Sequence, residues 1–177
     1  MITSLYPKKA VIYFLALVFC CTANAQRITG SFTPLRSQAR VKLVINFSEA
    51  NIMGMNEEEF SQYEEDWTHD KVEVISLFYS CANEVLANTL VVGNYTSDTD
   101  YILRLDVRAV DVKGNYDSDL VLIYNGEVIA KAEGFYTKGG TFGSKLNLMK
   151  DGAEHTGTAI GKFLLQELSL KKKRRRP

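Results

Sequence analysis

The chain has 177 residues with 21 basic and 21 acidic side chains, but the balance is uneven along its length. Residues 1–25 hold two lysines and no acid, and residues 171–176 are six consecutive cations, so the stretch between sets 13 basic against 21 acidic residues. A body that acidic does not suit nucleic-acid binding, which calls for a basic surface, and no nucleic-acid partner is expected.

Lys8 and Lys9 precede an apolar run over residues 10–19, and Ala23-Asn24-Ala25 puts small residues where signal peptidase requires them. This is the layout of a secretory signal peptide over residues 1–25, with the mature chain beginning at Gln26. The apolar run is shorter than the ~20 residues a bilayer span needs. The expected location is therefore periplasmic or secreted. A lipoprotein acylated at Cys20 or Cys21 is the less favoured alternative. Phe19 stands before Cys20, and Cys20 before Cys21, where a lipobox wants a small residue. Once the signal is removed, Cys81 is the only cysteine and no intramolecular disulfide can form. That fits a bacterial envelope better than a small eukaryotic extracellular domain, which usually carries several.

The mature chain reads as one α+β domain over residues 26–170. Residues 26–38 are polar and form a lead-in. Val41, Leu43, Ile45 and Phe47 then alternate with polar residues, which marks a half-buried strand. Residues 52–55 read as a loop with some buried side chains. Asn56 is a good helix N-cap, Glu59 completes a capping box, and a short helix runs to about Trp67. The acids Glu57–Glu59 and Glu64–Asp66 lack the alternating spacing and central glycine of a calcium loop, so they read as helix-start and solvated residues.

Asp70 and Glu73 open a longer helix ending before Gly93-Asn94. Its stripe runs through Val72, Ile75, Phe78, Tyr79, Ala82, Val85, Leu86 and Thr89, and Cys81 sits on the flank of that stripe. Leu103, Leu105, Val107 and Ala109 alternate with Arg104, Asp106 and Arg108 as a second strand. Two more strands flank Asn125-Gly126, the favoured pair for a two-residue type I′ hairpin. With regular pairing Ile123 faces Val128, Val121 faces Ala130 and Asp119 faces Ala132, so these apolar residues make the core face. Leu120, Leu122 and Ile129 fall on the other face. Residues 138–145 form a glycine-rich loop. A last helix over residues 151–168 carries Gly157 and Gly161, which permit close approach of the helix to the sheet. The expected order is β-α-α-β-β-β-α: a mostly antiparallel sheet of about four strands with helices packed on one face.

Candidate chemistry is sparse. The loop Gly139-Gly140-Thr141-Phe142-Gly143-Ser144-Lys145 has Ser144 where a phosphate loop needs its second glycine and Leu146 where it needs a hydroxyl. His69 and His155 have no partner at metal-ligand spacing. No Gly-x-Ser-x-Gly elbow is present, and nothing places a base beside Cys81. The reading is a non-enzyme with no cofactor and no metal. The sharpest feature is the tail, in which Lys171, Lys172, Lys173, Arg174, Arg175 and Arg176 form a basic, disordered end. These are the candidate contacts to anionic lipid or lipopolysaccharide, and the first lysines also favour the C-terminus of the preceding helix.

The strands over residues 101–133, above all Leu120-Val121-Leu122-Ile123-Tyr124-Asn125-Gly126-Glu127-Val128-Ile129-Ala130, together with the small-residue helix Gly157-Thr158-Ala159-Ile160-Gly161-Lys162-Phe163-Leu164, resemble small bacterial envelope proteins. The likeness is to the curli-export-lipoprotein and TolB N-terminal type and related domains of unknown function. It covers about half of the mature chain, and the missing lipobox departs from it. It implies an accessory role in envelope assembly or transport through contact with an envelope protein. The alternative expectation is a binder of a small or lipidic ligand, held between helix and sheet.

Overall fold

A computed structural model describes residues 26–95 and 100–169. The chain is α+β. Its strands are β1 (Arg27–Gly30), β2 (Arg40–Asn46), β3 (Asn51–Ile52), β4 (Val91–Gly93), β5 (Tyr101–Val110), β6 (Tyr116–Tyr124) and β7 (Glu127–Thr137). Its helices are α1 (Glu57–Tyr63), α2 (Trp67–Leu86) and α3 (Lys145–Ser169), with a 3₁₀ turn at Thr33–Ser37.

Among the described residues the sheet has seven strands and is mixed, which corrects the expectation of about four mostly antiparallel ones. Its order is β1-β7-β6-β5-β2-β4, with β3 beside β5. The β2 strand runs parallel to both β4 and β5, while β5, β6, β7 and β1 are successively antiparallel. The three strands that the sequence does not announce are two to four residues long, too short to show a period.

The β2 and β5 strands bury the residues their alternation marks: Val41, Leu43 and Ile45 on one, Leu103, Leu105 and Val107 on the other. At Asn125-Gly126 both residues have positive φ, 50° and 82°, as a type I′ turn demands. Beyond it the pairing departs from the expected register. Ile123 does face Val128, but Leu122 then pairs with Ala130, Val121 with Lys131 and Leu120 with Ala132. Ile129 is the extra residue of a β-bulge, and one extra residue sends everything beyond it to the opposite face. The core face is therefore Leu120, Leu122, Ala130 and Ala132, while Val128 is 59% exposed. Val121 is buried on the outer face between its cross-strand neighbours Arg104 and Lys131, whose aliphatic stems shield it.

The capping box forms as expected: Asn56 Oδ1 accepts from Glu59 N and Glu59 Oε2 from Asn56 N, both at 2.9 Å. The α1 helix ends at Tyr63, and α2 begins at Trp67 rather than Asp70. Trp67 anchors that start, edge-on to Phe47 and Phe60 with ring centroids at 5.9 and 5.1 Å. The buried stripe of α2 is Trp67, Val74, Phe78, Ala82 and Leu86; Val72 points to solvent at 69% exposure. Ala87 and Asn88 adopt left-handed backbone and stop the helix. The Asn83 side chain then bonds both the N–H and the carbonyl of Val92, at 2.8 Å each, and pins β4 against α2.

The α3 helix begins at Lys145, six residues earlier than expected, because Ser144 caps it: its hydroxyl accepts from Asn147 N and its carbonyl from Leu148 N. The α2 and α3 helices lie side by side over the core face and run parallel. Lys150 pairs with Glu73, Gly157 lies against Phe78, and Gly161 against Ala82. The two glycines thus serve a helix–helix contact, not the expected helix–sheet one. A Cβ at Gly157 would stand 2.6 Å from the Phe78 carbonyl, and one at Gly161 would stand 2.7 Å from that of Ala82. Gly152 is the glycine that meets the sheet, where a Cβ would fall 2.7 Å from the Tyr116 ring.

Candidate interaction surface

The helices cover one face of the sheet, and the other carries charge. The strand periods put Asn46, Arg104, Asp106, Asp119, Lys131 and Glu133 on this outer face. Asp106 and Asp119 are direct cross-strand partners. Like charges so placed repel, and each is neutralised locally. Arg104 grips Asp106 with two nitrogens, at 2.8 and 3.0 Å, and Asn46 Nδ2 donates to the same carboxylate at 2.9 Å.

Asp119 is the buried member, its side chain only 6% exposed. It takes Lys131 at 3.0 Å, Arg108 at 3.5 Å and the amide of Gly134 at 3.0 Å. Bulges position these donors. Arg108 is the extra residue where β5 slips against β6, and β7 slips against β6 around Gly134, whose φ is 78°. Arg108 also bonds Asp117 at 2.5 Å and Lys131 bonds Glu133 at 2.9 Å, so the ion pairs join three strands. The Asp117 hydrogen bond holds the Arg108 guanidinium above its ordinary value, and hydrogen bonds to Glu133 and Asp119 raise Lys131 likewise. Both stay protonated at neutral pH, so these two cations are fixed charges on the face.

Open grooves lie among the described residues. One, of about 740 Å³, lies at the start of α1 and α2 beside Asn56, Glu58, Gln62 and Thr68. Another, of about 410 Å³, runs between α3 and the end of β7, with Phe135, Phe163 and Ala159 in it and Lys162 and Gln166 beside them.

The tail cations Lys171, Lys172, Lys173, Arg174, Arg175 and Arg176 and the expected signal segment 1–25 lie outside the described residues. Cys81 is half-buried on the α2 flank, and burial pushes its thiol up, away from the reactive thiolate. His69 is exposed near Asp70, and exposed His155 meets the Lys138 carbonyl at 2.6 Å, so the structure does not bring the two histidines together. The glycine loop packs against the β5–β6 turn, with Gly139 N donating to Asn115 Oδ1 at 2.8 Å. The outer-face network was missed because the regular register turned Asp119 toward Ala132.

No family model matches the sequence, and no curated protein matches it. Among solved structures the chain is similar to the PelC L103M dodecamer from Paraburkholderia phytofirmans. The identity is 17%, the TM-score is 0.37, and 81% of this chain and 95% of that chain are covered. A likeness at that level carries no argument about function.

Proposed function

We propose that the protein is an exported accessory domain of a bacterial cell envelope, acting by contact with another envelope protein rather than by catalysis. The observation that supports this best is the outer sheet face. It presents charges of both signs, fixed in place by bulges and by each other, on a surface that the helices leave open. Such a surface suits electrostatic recognition, which confers register and partner choice. The basic tail adds a second contact, to anionic lipid or lipopolysaccharide. The ligand-binding alternative needs room between helix and sheet, and Phe78, Tyr116, Leu105 and Leu120 fill that layer at zero exposure. Contact is therefore the better-supported role.

The test is site-specific photo-crosslinking in cells, with the probe at Val44 or Ile102 on the outer face and at Val72 on the solvent side of α2. Discrete adducts to an envelope protein are expected from the outer face alone. Adducts only from Val72, or a protein confined to the cytoplasm, would refute the proposal.

A further inference from the structure

The groove of about 740 Å³ at the start of α1 and α2 has the size of a small-ligand cleft, for which ~300–1,000 Å³ is usual. Such clefts are mostly apolar, and this one is not. Apart from Trp67, every residue lining it is polar or charged, with hydroxyls from Ser48, Ser61 and Thr68 and an amide from Gln62. None of these four side chains has a hydrogen-bond partner among the described residues.

Trp67 adds an independent observation. It is 2% exposed, and its indole Nε1 has no hydrogen-bond partner among the described residues. Buried N–H groups in native proteins are paired, either with the protein or with something the protein holds. The Tyr116 hydroxyl is also unpaired, but its ring sits in the core against Phe47 and Phe78. Trp67 lines a groove, which can admit an acceptor.

The lining sets the chemical class of that acceptor. Glu57 and Glu58 put carboxylates in the wall, which repel an anion. Lys71 pairs with Glu57 and is held 5.5 Å from the centre of the Phe47 ring, so a cation would have to displace it. Too little of the indole is exposed for an aromatic ligand to stack on it. What remains are hydroxyls and an amide that both donate and accept, the match for a ligand that does the same. We infer that the groove binds a neutral saccharide. One ligand oxygen accepts from Trp67 Nε1, and the sugar hydroxyls exchange hydrogen bonds with Ser61, Gln62 and Thr68. Those three side chains turn to the ligand without breaking a bond to the protein. The site lies at the helix starts, apart from the outer sheet face, and does not depend on the protein contact proposed there.

The chain has one tryptophan, so a proton–nitrogen correlation spectrum of the labelled protein carries a single indole N–H signal. The test titrates that signal with maltotriose, cellotriose and triacetylchitotriose in turn. At least one should move it downfield, as a new hydrogen bond does, along a curve that saturates. Trigalacturonate, the anionic counterpart, should bind at least tenfold more weakly than that sugar. The double variant Gln62→Ala with Thr68→Ala changes only exposed side chains. It should bind the sugar at least fivefold more weakly with its melting temperature unchanged. An indole signal that none of the three neutral sugars moves would overturn the inference. So would a shift that glycerol reproduces without saturation, equal or tighter binding of spermidine, or a double variant that binds the sugar as the parent does.

Discussion

Asp119 and Tyr116 are two buried polar residues of β6 with opposite energetics. Asp119 is fully engaged. Asp119→Ala removes the acceptor for Gly134 N–H and one anion from between Arg108 and Lys131. Arg108 and Lys131 remain partly solvated and keep Asp117 and Glu133, so the expected cost is about 2 kcal/mol rather than the 3–5 kcal/mol of a fully buried pair. Asp119→Asn still accepts from Gly134 and should cost less. Urea denaturation of both variants checks the order, and equal losses would mean that the amide bond is unimportant. The Tyr116 hydroxyl, by contrast, has no hydrogen-bond partner among the described residues at zero exposure, and burial drives its pKa far upward. An unpaired buried hydroxyl costs roughly 1–3 kcal/mol. Tyr116→Phe keeps the ring contacts with Phe78 and Phe47. It should raise the melting temperature by a few degrees in calorimetry; a fall would show that the hydroxyl has a partner.

At the scale of elements, the seam between α2 and α3 is set by the absence of side chains. Gly157→Val would put its Cβ within 2.6 Å of the Phe78 carbonyl, a backbone atom that no rotamer change can move. Overpacking of that kind costs about 1–3 kcal/mol, and unfolding transitions should show it; an unchanged midpoint would place the seam elsewhere. The sequence reveals this seam only in part. Gly157 and Gly161 announce close approach, but four-residue spacing is the same whether the neighbour is a helix or a sheet. Elsewhere legibility follows the range of the determinant. The Asn56–Glu59 cap, the Asn125-Gly126 turn and the β2 alternation are local and read directly. The bulge at Ile129 is not. Ile129 looks like any strand residue, and its extra place appears only when β6 and β7 are laid together. That one residue inverted the expected core face and hid the ion pairs around Asp119. The start of α3 was legible in Ser144 but masked by the glycines beside it.

For the whole molecule, folding is separate from the surface attachment proposed for the tail. The buried apolar side chains of the described residues form one continuous core, and residues 171–177 contain no apolar residue except Pro177. Deleting residues 171–177 should shift the melting temperature by less than a degree. It should also remove salt-sensitive binding to vesicles containing anionic lipid, to which each cation contributes up to about 1 kcal/mol within a Debye length. A truncated protein that melts early, or that binds vesicles as the full chain does, would contradict this division.

The parallel course of α2 and α3 has an electrical consequence. Their N-termini, where backbone amides leave partial positive charge, lie at one end of the molecule and their carbonyl ends at the other. Antiparallel neighbours would cancel these dipoles; parallel ones add them. The side chains answer in kind. Glu57, Glu58, Glu59, Asp66, Asp70 and Glu73 cluster near the amide end, where Lys71 pairs with Glu57 and Lys150 with Glu73. The acids outnumber those two lysines and complement the summed amide charge. A negatively charged surface would turn the approaching protein like a compass needle, with the starts of these helices and their acids facing away.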